Sequence, residues 1–244
     1  MSTPTLLPDP SVPEPAFFPI FLALRDVPVL VVGGSIEAFA KVEALRRAGG
    51  RVRVVANAVC EDIAALHAAA LIGLRRRNFA ASDLEGVRLC FVALEDAAAA
   101  ARVVAAAHRC GVLVNAVDRP DLCDFVMPAV VERGPVRVAI STGGLSPALA
   151  RELRARIEAA VPVAYGGLAR LCGAWRKRVA AQLRDRALRR RFWEAVIRGA
   201  EADAVFAGDE AKAERLLETR LGDAERGAMH STAAVALVGA GQGH

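Results

Sequence analysis

VPVLVVGGSIEAFAKVEALRRAGGRVRVVAN, residues 27–57, is the stretch that decides the fold. An unbroken apolar run ends in two glycines, a helix-period stretch follows and stops at Gly49-Gly50, and a second Val-rich run begins at once. A strand that is apolar at every position must be covered on both faces, which is the condition of a parallel sheet with helices above and below it. The same alternation continues outward. CEDIAALHAAA reads as a second helix, LIGLRRR as a short third strand and RLCFVAL as a fourth; EDAAAAARVVAAAHRC is then a helix and GVLVNAV a fifth strand, ending near residue 117. This is Rossmann-like winding. Beyond it, FVMPAVVERGPVRVAIST reads as a hairpin turning at Arg133-Gly134-Pro135. Everything after Ser146 has helical patterning, with Ser146 at the cap position and Pro147 at the first helical position, and turns near Pro162, Asp185 and Gly208.

A glycine loop between the first strand and helix is where a dinucleotide pyrophosphate sits in such folds, because backbone amides and the helix N-terminus attract anions. Here the G-x-G-x-x-A pattern reads Gly33-Gly34-Ser35-Ile36-Glu37-Ala38, with Ser35 in place of the second motif glycine. Asn57 and Ala58 follow the second strand, where an adenosine ribose is read, and no acidic residue stands there to separate NAD from NADP. Asp118 follows the fifth strand directly. Ligands of open α/β sheets bind beyond the carboxyl ends of strands, so this carboxylate can face a reacting group. The competing reading is a turn-forming aspartate ahead of Arg119-Pro120.

Composition sets the remaining bounds. The 244 residues carry a net charge of +5, but twelve Lys and Arg against Glu152, Glu158 and Asp185 between residues 151 and 191 make that region +9 and leave −4 for the rest. A cationic field suits a polyanionic ligand, a partner subunit or a solvated helix face; with 5% aromatics and no stacking motif, nucleic acid is not expected. No apolar stretch is long enough to span a bilayer, and residues 1–19 are Pro-rich without the pattern of a signal peptide, so no membrane association and a cytoplasmic location are expected. The five cysteines are scattered and the four histidines isolated, giving no metal site and no disulfide framework.

These residues carry a family resemblance. FPIFLALRD, VVGG with Ala38 and Lys41, the block NAVDRPDLCDFVMPAVVERGPVRVAISTGGLSPALARELRARIE, GGLARLCGAWRKRV and RRRFWE resemble the bifunctional precorrin-2 dehydrogenase and sirohydrochlorin ferrochelatase that forms the N-terminal half of siroheme synthase. The resemblance runs over roughly residues 18–222. Residues 234–241, AVALVGAG, resemble the first strand and glycine loop of the uroporphyrinogen methyltransferase that follows in the fused enzyme. The implied organisation is a flexible tail (1–19), a Rossmann-like NAD-binding domain (20–117), a dimerisation and active-site segment with strands (118–150), a helical domain (151–222) and the methyltransferase-like tail (223–244).

The resemblance further implies a homodimer and two reactions at one site, with the uroporphyrinogen methyltransferase either trimmed from a fusion or a separate partner. NAD accepts a hydride from precorrin-2 to give sirohydrochlorin, and ferrous iron, a substrate, then replaces two pyrrole protons to give siroheme. Asp118 matches the family's catalytic aspartate. Gly33, Gly34, Ser35, Ile36, Glu37, Asn57 and Ala58 are the expected NAD contacts. For the polycarboxylate substrate the expected contacts are Arg119, Arg133, Ser141, Thr142, Gly143, Arg151 and Arg154, since guanidinium groups pair with carboxylates bidentately. Thr142 matches a serine that can be phosphorylated in the family. Four departures touch the cofactor side: Ser35 for glycine, Ala40 for arginine, Leu94 within an expected Ala-Thr-Asp, and Ala100 for asparagine. They motivate two alternatives, a chelatase that has lost NAD-dependent activity and a non-catalytic tetrapyrrole-binding protein.

Overall fold

The computed structural model describes residues 17–240, with side chains through residue 227. Residues 1–16 of the expected tail (1–19) and the last four residues therefore lie outside the described residues. The described residues divide into two compact units, one of residues 17–128 with 141–147, the other of residues 129–140 with 148–240.

In the first unit, β1 (Pro28–Val32), α1 (Ile36–Arg47), β2 (Arg51–Val55), α2 (Glu61–Ala68), β3 (Gly73–Arg75), β4 (Leu89–Val92), α3 (Ala97–Arg109) and β5 (Leu113–Ala116) alternate as the apolar runs require. The sheet is parallel, in the order β3-β2-β1-β4-β5. Reversal of direction at β1 puts α1 and α2 on one face and α3 on the other. Val29 and Val31 pack with Ala38, Val42 and Ile63; Leu30 and Val32 pack with Ala100, Val103 and Val104. The period of two along an all-apolar strand thus feeds two cores. Phe91, Leu30 and Val31 are at most 1% exposed, and each contributes about 1.5–3 kcal/mol by leaving water.

Every strand and helix read from the sequence over this span is present. Its sequence pattern did not disclose two short 3-10 turns, Ala81–Leu84 and Pro120–Leu122. The first carries a buried charge. Asp83 has no exposed side-chain surface and receives Arg75, both nitrogens of the Arg77 fork and the Ala80 N–H, while Arg53 donates to its backbone carbonyl.

The second unit opens with the antiparallel hairpin of β6 (Ala129–Arg133) and β7 (Val136–Ile140), which turns at Gly134-Pro135 with Arg133 opposite Val136. Five helices follow: α4 (Pro147–Ala160), α5 (Ala164–Gln182), α6 (Arg186–Ile197), α7 (Ala200–Phe206) and α8 (Glu210–Ala240). The last four close around Val179, Leu183, Phe192, Val196, Leu217 and Leu221, with a smaller cluster of Leu168, Ala202, Val205 and Ala213. Breaks fall where the turn residues stand, and Asp185 accepts from the Leu188 N–H to cap α6. Residues 234–240, which resemble a first strand, are helical as the end of α8. In the helix this Ala- and Val-rich run satisfies its backbone groups within its own segment.

Candidate active site

Loops at the carboxyl ends of β1, β2 and β4 enclose a cleft of about 1040 Å³. All seven residues expected to touch the dinucleotide, Gly33, Gly34, Ser35, Ile36, Glu37, Asn57 and Ala58, line it together. The two glycines are required by crowding between these loops. A Cβ on Gly33, which has φ +129°, would lie 2.1 Å from the Ala93 carbonyl oxygen; one on Gly34 would lie 2.0 Å from that of Ala58. The loops cross at backbone distance, leaving the start of α1 open toward the cleft.

Ser35 is not misplaced there. Its φ of −74° and ψ of 178° suit any residue, and its hydroxyl oxygen accepts from the Ala38 N–H, capping α1. The same hydroxyl, followed by Glu37's own backbone N–H, holds the Glu37 carboxyl below the usual carboxylate range. Two of the other departures lie off the cleft, and the third, Leu94, is part of its wall. Ala100 is fully buried in the core under α3, Ala40 is exposed on α1 and does not line the cleft, and Leu94 packs its side chain against the α3-side core. The cleft therefore fits a dinucleotide: an open helix N-terminus, close-packed glycine loops and a polar lining. Ser35→Gly is expected to change the NAD dissociation constant by less than about threefold, and Ser35→Ala to cost about 1 kcal/mol of stability as the cap is lost. Calorimetry and denaturant titration read the two effects.

Asp118 stands exposed in the turn after β5 with φ 57°, a left-handed conformation that aspartate tolerates better than most residues. That turn is fastened from both sides. Arg119 donates to the carbonyls of Leu94 at 2.9 Å and Glu95 at 2.8 Å, both on the cleft's own wall. On the other side the Cys123 thiol takes the Ala116 N–H at 3.2 Å and is within 3.3 Å of the Arg119 carbonyl. Burial raises the Cys123 thiol above its ordinary pKa, so it stays protonated and serves as a hydrogen-bonding clip. Asn115 completes the brace by donating to the Phe125 carbonyl at 2.9 Å. Cys123 was legible in the sequence only as one of five scattered thiols. Its signal was the five-residue step from Asp118 to Cys123 across Pro120, which permits a short turn to fold the thiol back.

The expected substrate residues are shared between the two units, with Arg119, Ser141, Thr142 and Gly143 in the first and Arg133, Arg151 and Arg154 in the second. Arg119 spends its guanidinium on the loop carbonyls just described. Arg133, only 12% exposed, clamps the end of α4 through Val161 O at 2.8 Å, Glu158 O at 2.9 Å and the Glu158 carboxylate at 3.3 Å. Arg154 is exposed and 3.7 Å from Glu158, and Arg151 is exposed on the same helix. Ser141 accepts from the Gly143 N–H, and the Thr142 hydroxyl accepts from the Ser146 N–H and donates to its carbonyl. Arg133→Gln should free the last carbonyls of α4 and cost about 2 kcal/mol, seen as faster amide exchange confined to that helix end.

Among the described residues no group of three or more His, Cys, Asp or Glu side chains could hold a metal ion, and no helix is long and apolar enough to cross a membrane.

Comparison with known proteins agrees with this geometry. An NAD(P)-binding family matches residues 20–129, the sirohaem biosynthesis protein central region matches 133–160 and the sirohaem synthase dimerisation region matches 164–221. Siroheme synthase of Methylococcus capsulatus is 46% identical over 93% of this chain and 48% of its own length. That of Ectopseudomonas mendocina is 44% identical over the same shares. The chain thus spans about half the length of these relatives. The solved structure of SirC, a precorrin-2 dehydrogenase, superposes with a TM-score of 0.68 at 21% identity, covering 83% of this chain and all of that one.

Proposed function

Since the chain belongs to the siroheme synthase family, we propose that it performs the dehydrogenase and chelatase steps, oxidising precorrin-2 to sirohydrochlorin with NAD and then inserting ferrous iron. The observation that carries this reading is the cleft itself: the seven residues expected for the dinucleotide line one cavity, and Arg119 ties the turn of Asp118 to its wall.

NAD, when bound, supplies the hydride acceptor. Gly33, Gly34 and the start of α1 would hold its pyrophosphate through backbone amides. Asp118 does the proton work. Oxidation removes one hydride and one proton from precorrin-2, and Asp118 takes that proton as general base. Iron insertion releases two pyrrole protons, which the same carboxylate passes to solvent in turn. A left-handed turn held by Arg119 and Cys123 keeps the carboxylate exposed and its backbone in place. Iron meets the macrocycle as a substrate.

In this reading the protein works as a homodimer in the cytoplasm, and a separate uroporphyrinogen methyltransferase supplies its substrate. Arg151 and Arg154 remain candidates for the substrate's carboxylates, with Ser141, Thr142 and Gly143 as hydroxyl and amide donors. A phosphate on Thr142 would break its bonds to Ser146 and set a dianion against an anionic substrate. Calorimetric titration with NAD tests the dehydrogenase reading. Micromolar binding is expected; no binding at millimolar NAD would leave the chelatase alternative.

A further inference from the structure

Of the charged groups around the cleft, those at the ends of β2 and β3 have no part in the chemistry above. Where the adenosine ribose is read, the chain offers Asn57, whose amide donates to Asn78 at 2.6 Å. A carboxylate at this position would bind the ribose 2′-hydroxyl and repel a 2′-phosphate; an amide can still hydrogen-bond the hydroxyl but carries no charge to repel the phosphate. Arg77, Asn78 and Asn57 line the same part of the cleft, because the Ala56 N–H pairs with the Arg75 carbonyl and brings the two strand ends together.

The charge balance there is positive. Asp83 is ion-paired with both Arg75 and Arg77, and Arg53 donates to the Asp83 carbonyl, so one carboxylate stands among three guanidinium groups. The Arg77 side chain is 41% exposed, and its bonds to Asp83 and to the Asn78 carbonyl hold its planar head in place. The acidic residues on the cleft stand on other loops: Glu37 on the first turn of α1, Glu95 and Asp96 between β4 and α3, where Asp96 caps α3. Among the described residues no carboxylate lines the cleft from the β2 and β3 ends.

We propose that this end of the cleft accepts a 2′-phosphorylated dinucleotide as readily as the unphosphorylated one, with Arg77 meeting the phosphate and Asn57 withholding the usual discrimination. The inference rests on the cleft being the dinucleotide site.

Titration of the full chain with NAD and with NADP tests it. The native protein should bind both with dissociation constants within about fivefold. Arg77→Gln should weaken NADP by about 10- to 100-fold while moving NAD little, as expected for the loss of a hydrogen-bonded charge. Arg76→Gln, an exposed neighbour that does not line the cleft, should change neither. Because Arg77→Gln also strips Asp83 of a partner, Asn57→Asp at its exposed position is the second arm, and it should turn preference toward NAD by at least about tenfold. Native protein that binds NAD while NADP is a hundredfold weaker overturns the inference and leaves the proposed function standing. Failure to bind either dinucleotide overturns both.

Discussion

Asp118→Asn is expected to lower the rate of precorrin-2 oxidation by about 10²- to 10⁴-fold, the usual worth of a positioned general base, while the protein melts within a few degrees of the native one. Asparagine is the informative replacement. At φ 57° an alanine would add backbone strain of about 1–2 kcal/mol, confusing a lost base with a distorted turn, whereas asparagine tolerates the left-handed region much as aspartate does. The amide keeps the size and a hydrogen-bonding oxygen but cannot take up a proton. Loss of kcat with little change in KM for precorrin-2 identifies the base. An asparagine variant of native activity would remove Asp118 from the mechanism.

The second large effect concerns stability. Asp83→Asn should destabilise the first unit by about 3–5 kcal/mol, because the substitution leaves guanidinium groups facing one another around a site that no longer carries a negative charge. Asp83 is wholly buried. Burial pushes its carboxyl up, yet hydrogen bonds from Arg77, the Ala80 N–H and Arg75 outweigh this and hold the pKa down at about 2, against an ordinary 3.8. A depressed pKa means that the folded state favours the charged form. The stabilisation is therefore complete above about pH 4 and is lost as pH falls toward 2. Denaturant titration at neutral pH should show the loss, and the variant's acid limb between pH 4 and 2 should be flatter than the native one. Equal stability at neutral pH would mean that the three arginines need no buried counter-charge.

The order of sequence signals explains which features could be read in advance. Strands that are apolar at every position announce a sheet covered on both faces, and the glycine stops fix where each helix ends, so β1 through β5 were legible. The hairpin was legible too, since Gly134-Pro135 leaves little else for the chain to do. Side-chain destinations were not. Arg119 and Arg133 look like free cations in the sequence, but their guanidinium groups are used on Leu94 and Glu95 and on the end of α4. Asp83 reads as an ordinary polar residue in a loop. Nothing local to ASDL says that three arginines converge on it from positions up to thirty residues away. Ser35 shows the opposite error. A motif comparison marks it as a lost glycine, while its backbone angles show that glycine's freedom is not needed there.

The central claim is that one carboxylate beside an NAD cleft removes the proton as the hydride leaves. The measurement that bears on it most directly is a single incubation of the purified chain with precorrin-2 and NAD, with NADH and sirohydrochlorin quantified together. The account predicts that the two appear in equal amounts and that Asp118→Asn slows both alike. Precorrin-2 left unoxidised, with no NADH formed, would contradict it even if iron insertion into supplied sirohydrochlorin went ahead.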